Sequence, residues 1–238
     1  MKGRRVSDSP SPASTTDRRR RVRALLAGGL VLGLGAAGTL AAWTDSEFAR
    51  GVFTSGQFNI QGNESTSTPP ANGTWTDHYT AAGAAQLQFS TGFNSLSPGS
   101  TVYAPFSLRI DPTRASYGAT VHIRSTASTG DTTNLMPKLS WKARTGIAPA
   151  TCAAGTFTGG TPLVPSPDGA GVPMNYTAPA TPPSFTLSNA GAPSTTPVSV
   201  CFAVTMQPQP ANVAPNDPSW TFTTPVTTTW EFSAESTP

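Results

Sequence analysis

Beyond residue 50, several segments alternate apolar and polar side chains, and no segment carries apolar residues at the three- and four-residue spacing of a helix face. Successive strand side chains point to opposite faces, so a period of two predicts half-buried strands. In VYAPFSLRI, Val102, Phe106, Leu108 and Ile110 share one face, while Tyr103, Ser107 and Arg109 take the other. KLSWKAR sets Leu139, Trp141 and Ala143 against Lys138, Ser140, Lys142 and Arg144. TVHIRS opposes Val121 and Ile123 to His122 and Arg124. PVSVCFAVTM aligns Val198, Val200, Phe202, Val204 and Met206. VTTTWEF places Val226, Trp230 and Phe232 opposite Thr227, Thr229 and Glu231. Segments 52–60, 86–90 and 184–188 are weaker candidates.

About eight strands separated by turn sequences such as SPGS, STGD and SPDGAG predict an all-β fold, a sandwich or jelly roll. Gly and Pro number 22 and 24 and crowd 62–74, 145–197 and 207–219, which predicts long loops between the strands. Of these, 145–197 is expected as a loop insertion on the surface. Trp and Phe supply most of the bulk, and each buried ring contributes several kcal/mol at about 25 cal/mol per Å2.

The net charge of +3 belongs to the first 23 residues, which hold eight of the fifteen basic residues and two of the twelve acids. The remainder has seven basic and ten acidic residues, a net of −3. A mildly acidic body without a basic stripe is not expected to bind nucleic acid.

Those 23 residues read as the basic region of an export signal, and 24–41 as its apolar segment, expected to be helical. In TLAA, Thr39 and Ala41 are small enough for a signal-peptidase pocket, so cleavage is expected between Ala41 and Ala42. The apolar run is also long enough to span a bilayer if it is retained as an anchor, so both fates stay open. No cysteine lies near the cut, which argues against a lipoprotein.

Beyond the cut the chain reads AAWTDSEFARGVFTSGQFNIQ. Gly38-Thr39, Trp43-Thr44-Asp45, and Phe53 followed by Gly56, Phe58 and Ile60 resemble the SipW-dependent signal and junction of exported TasA and camelysin family proteins. The resemblance covers about 35 residues and continues loosely through LSPGSTVYAPFSLRI, VSVCFAVTM and VTTTWEF. It implies 42–61 as junction and first strand, 62–238 as a jelly-roll-like sandwich, and a SipW-type signal peptidase as the partner during export. It also implies a subunit that self-associates when its freed N-terminal segment adds to a neighbour's sheet edge. That donor would span about Ala42 to Ile60, with Val52, Phe58 and Ile60 as anchors. Membrane contact is expected only through the uncleaved signal.

Two cysteines in an exported chain predict one bridge, Cys152–Cys201. Cys201 alternates with Val200 and Phe202, so the bridge is expected on the outer side of the sheet.

Camelysin-type members are described as metalloproteases, but a zincin needs two histidines one helical turn apart. The only histidines are His78 and His122, and no HExxH occurs. Neither a nucleophile elbow nor a phosphate loop stands out, so no catalysis and no cofactor is expected. Asn63, Asn72 and Asn175 head glycosylation triplets that chance explains. The chain ends WEFSAESTP without an apolar tail, so covalent wall attachment is not expected.

Three functions follow as expectations. The first is a secreted structural protein of the cell surface or extracellular matrix. The second is a monomeric carbohydrate- or surface-binding sandwich using Trp75, Tyr79, Tyr103 and Tyr117. The third is a signal-anchored protein.

Overall fold

A computed structural model describes residues 15–37, 47, 50–51, 57–71, 75–115, 117–165, 167–188, 196–214 and 217–237. The chain divides into two compact units, Met1–Phe53 and Thr54–Pro238. In the first, helix α1 spans Thr15–Ala37. It begins at Thr15, just ahead of the arginine run, rather than at residue 24, because arginine is a good helix former. Among the described residues no helix is long and apolar enough to cross a membrane.

The second unit is all-β. Its strands are β1 (Phe58–Asn63), β2 (Thr101–Ala115), β3 (Gly118–Gly130), β4 (Leu139–Thr145), β5 (Thr161–Val164), β6 (Val172–Pro173), β7 (Ser184–Leu187), β8 (Val198–Met206) and β9 (Val226–Thr237). One sheet runs β1-β2-β8-β4-β5, with β6 also on β4; the other runs β7-β3-β9, and every pairing is antiparallel.

The expected apolar faces meet between the sheets. Phe106, Leu108, Ile110, Trp141, Val200, Phe202 and Met206 of the larger sheet are buried against Val121, Ile123 and Leu187 of the smaller. Phe202 is the hub: its ring centroid lies 4.9 Å from Trp230, 6.0 Å from Trp141 and 6.2 Å from Phe232. Tilted and edge-on rings at such distances add stabilisation beyond the buried area.

Three expectations change. Segment 86–90 is not a ladder strand. It hangs on β2 at one point, where Ser90 N–H donates to the Tyr103 carbonyl at 2.7 Å and Tyr103 N–H donates to Ser90 Oγ at 3.0 Å. Segment 145–197 is more than a surface loop, because besides β7, which answers to the strand candidate 184–188, it holds α2 (Pro149–Ala153), β5 and β6. Leu163, Val164, Met174 and Leu187 from this segment are buried in the core. Beyond β6 it crosses to the smaller sheet, where Thr126 N–H donates to the Tyr176 carbonyl at 2.9 Å and Ala178 N–H to the Arg124 carbonyl at 2.8 Å.

The third change concerns the outer face of β2 and β8, which is covered rather than wet. Pro105 is fully buried there, as is Ser107, whose hydroxyl lies 2.8 Å from the Ser199 hydroxyl. Buried hydroxyls avoid a desolvation penalty by pairing in this way.

Candidate functional site: sheet edges and the disulfide face

A sheet edge exposes unpaired N–H and C=O groups that another strand can satisfy. Among the described residues the edges are β1, β5 with the two-residue β6 beside it on β4, β7 and β9. At β1, Gly62 N–H donates to the Thr76 carbonyl at 3.0 Å and Thr76 N–H returns to Gly62 at 3.1 Å, so this edge is capped. β5 and β7 have four residues each, and β5 carries Pro162, which lacks a donor. The fourth edge, β9, is twelve residues long and pairs along its length with β3. Leaving Glu231 aside, no residue of β9 makes a backbone hydrogen bond away from β3 among the described residues.

Pro105 sets a further boundary. Tyr103 directs its N–H and C=O to Ser90, so odd-numbered positions of β2 face the β1 side. Pro105 therefore presents no N–H where β1 would continue, and the ladder stops at Asn63–Ser107. The Asn63 side chain turns the chain away, donating to the Ala71 carbonyl at 3.0 Å and accepting from Ser65 N–H at 2.8 Å. Asn63 is fully buried in these bonds, which leaves its glycosylation triplet inaccessible.

On the outer face, Cys152 and Cys201 are joined as expected, with Cα atoms 5.7 Å apart and no exposed surface on either residue. The bridge pins α2 over β8. Ile147, Tyr103 and Phe157 complete a second small core around it. Ala150 N–H donates to Thr68 Oγ1 at 3.0 Å, which joins α2 to the chain leaving β1. The 148–155 turn and the 64–71 segment thus form a local third layer, which composition alone does not reveal.

Of the junction residues, Phe58 and Ile60 lie on β1 opposite Ala115 and Ile110 and pack against the main core. Ala41, Ala42, Trp43, Asp45, Phe53 and Gly56, together with Val52 and Asn72, lie outside the described residues. His78 is bonded to Thr76 Oγ1 at 2.8 Å and to the Gly83 carbonyl at 3.0 Å, whereas His122 is on β3 in the other sheet. Among the described residues no group of three or more His, Cys, Asp or Glu is placed to hold a metal ion.

The four aromatic candidates for a platform are dispersed. Trp75 covers the Arg109 guanidinium at 4.4 Å, and Tyr103 packs on Phe157 at 6.0 Å. Six strand positions, roughly 20 Å, separate Arg109 from Tyr103 along β2. Tyr79 is 89% exposed, and Tyr117 stands in the turn after β2.

Near β1, burial pushes the Asp111 carboxyl up. Hydrogen bonds from Thr113 and Asn59, with the nearby Arg114 charge, more than offset this and hold it below the usual carboxylate value. Burial lowers the Arg109 guanidinium, and Asp111 partly restores it. Both groups serve the β1–β2 junction: Asp111 accepts from Asn59 Nδ2 at 3.5 Å, and Arg109 donates to Gln61 at 2.9 and 3.1 Å.

Fold and site together define a two-sheet β-sandwich with a disulfide-held outer layer and, among the described residues, one long edge strand, β9. No protein-family model matches the chain, and no curated protein matches it.

Proposed function

We propose that this chain is a secreted structural protein of the cell surface or extracellular matrix, exported with a SipW-type signal and assembled by strand addition. The observation that carries the reading is the length of the open β9 edge beside three short or capped ones. A strand added there satisfies the outward N–H and C=O groups of β9 and continues the smaller sheet. Phe58 and Ile60 already belong to β1, so the donor is confined to residues upstream of Phe58. Addition of one subunit's donor to the next subunit's edge is heterologous and does not close, which yields filaments. A jelly-roll-like sandwich suits this role because its core is complete without the added strand. The buried disulfide agrees with an oxidising compartment.

The test is assembly of purified residues 42–238, followed by sedimentation and electron microscopy over concentration and time. Filaments are expected, and deletion of residues 42–56 abolishes them. A preparation that stays monomeric at high concentration overturns the reading.

A further inference from the structure

An open trough of about 510 Å3 lies at the N-terminal end of β2, within the usual size of small-ligand sites. Tyr103, the 88–91 strap, Thr66 and the exit of α2 at Ala153–Gly155 line it. None of its described lining residues is charged, so it offers nothing to compensate a buried ion.

The polar groups divide into two sets. The Thr101 hydroxyl is 2.8 Å from that of Thr205, and Ser90 Oγ accepts from Tyr103 N–H. These two are structural. The side chains of Thr66, Gln88 and Thr91 make no hydrogen bond to another described residue, so two hydroxyls and an amide are available to a ligand.

The apolar groups are equally specific. The Tyr103 ring packs on Phe157 and its backbone is held by two bonds to Ser90, whereas the Phe89 ring turns into the main core, its centroid 6.4 Å from that of Trp230. Gly155 has a φ of 86°, and a Cβ there would stand 3.6 Å from the Tyr103 ring. With glycine at 155 and alanine at 153 and 154, the α2 side puts no long side chain over that ring. The disulfide fixes that side in place.

The Tyr103 ring, the unengaged neutral hydrogen-bonding groups and the lack of charge among the described lining residues together suit a sugar, whose C–H face stacks on an aromatic ring while its hydroxyls bond to Thr and Gln. The geometry points to this trough as a binding site for a neutral polysaccharide, entered from the solvent side. The site is separate from the β9 edge and does not rest on strand addition.

Native electrophoresis of the full chain through gels containing dextran, laminarin or levan tests this, with anionic alginate as the contrast. Retardation is expected in at least one neutral gel. The double variant Gln88→Ala/Thr91→Ala removes two hydrogen-bonding groups and weakens that binding by about tenfold or more. Ala154→Trp, also at an exposed position, fills the trough and abolishes the retardation. Ala81→Trp, on an exposed turn away from the trough, controls for an added ring and leaves binding unchanged. Migration unchanged in all three neutral gels, retardation by alginate alone, or binding retained in either trough variant overturns the assignment.

Discussion

Removing the Cys152–Cys201 bridge is the perturbation that the structure quantifies best. The bridge closes a loop with a sequence separation of 49. On the chain-entropy relation, a loop of that length removes about 14 cal/mol/K from the unfolded state, roughly 4 kcal/mol at 25 °C. A small domain's whole stability is about 5–15 kcal/mol, so a substantial part depends on one bond. The double variant Cys152→Ala/Cys201→Ala also loses two sulfur atoms from a fully buried site shared with Ile147, Tyr103 and Phe157. Urea unfolding followed by tryptophan fluorescence should therefore give a loss of about 3–5 kcal/mol relative to the oxidised protein. Hydrogen exchange should locate the change. The amides of Ala150, Cys152 and Ala154, bonded to Thr68, Ala148 and Ala150, lose protection first. The β3–β9 ladder keeps its protection until global unfolding. A loss below about 1 kcal/mol, or equal loosening of α2 and β9, would refute the view that the bridge holds the outer layer.

Proline at Thr228 and at Thr229 should separate folding from assembly, because consecutive N–H groups of β9 alternate between β3 and the open side. One of the two variants is expected to unfold, at a cost of about 3 kcal/mol or more. The other folds but does not form filaments, and if it assembles normally β9 is not the acceptor edge. Gly130→Ala is expected to destabilise by several kcal/mol, because the glycine has a φ of 95° and an added Cβ would stand 1.9 Å from the Pro225 carbonyl oxygen. Calorimetry checks this. Asp111, with its folded value below the unfolded one of about 3.9, contributes stability that is fully present above that pH and lost as pH falls through the lowered value. Acid titration of Asp111→Asn should show a shallower loss over that window; an unchanged profile removes Asp111 as a contributor.

The strand faces were legible because side-chain alternation follows from covalent geometry within a few residues. Leu139, Trp141 and Ala143 could be assigned to the core without knowing their partners, and all three are buried there. The cysteine pairing was equally accessible, since one bridge was the only intramolecular choice. Within 145–197 the strand at 184–188 was legible as β7, but β5 and β6 were hidden because Pro162 and Pro173 interrupt their strand patterns and both are very short. The trough was illegible because its residues, 66, 88–91, 101, 103 and 153–155, come from segments far apart in sequence.

Alternation alone thus determined an all-β body with its inward rows, and cysteine count determined its single bridge. Only the tertiary structure decided that the far side of β2 and β8 is roofed, which edges are capped, and that β9, Glu231 aside, makes no backbone bond away from β3 among the described residues. These outcomes depend on contacts such as Ser107–Ser199 and Ala150–Thr68, which join residues 92 and 82 positions apart. No local pattern encodes which distant segment comes to lie against a given face.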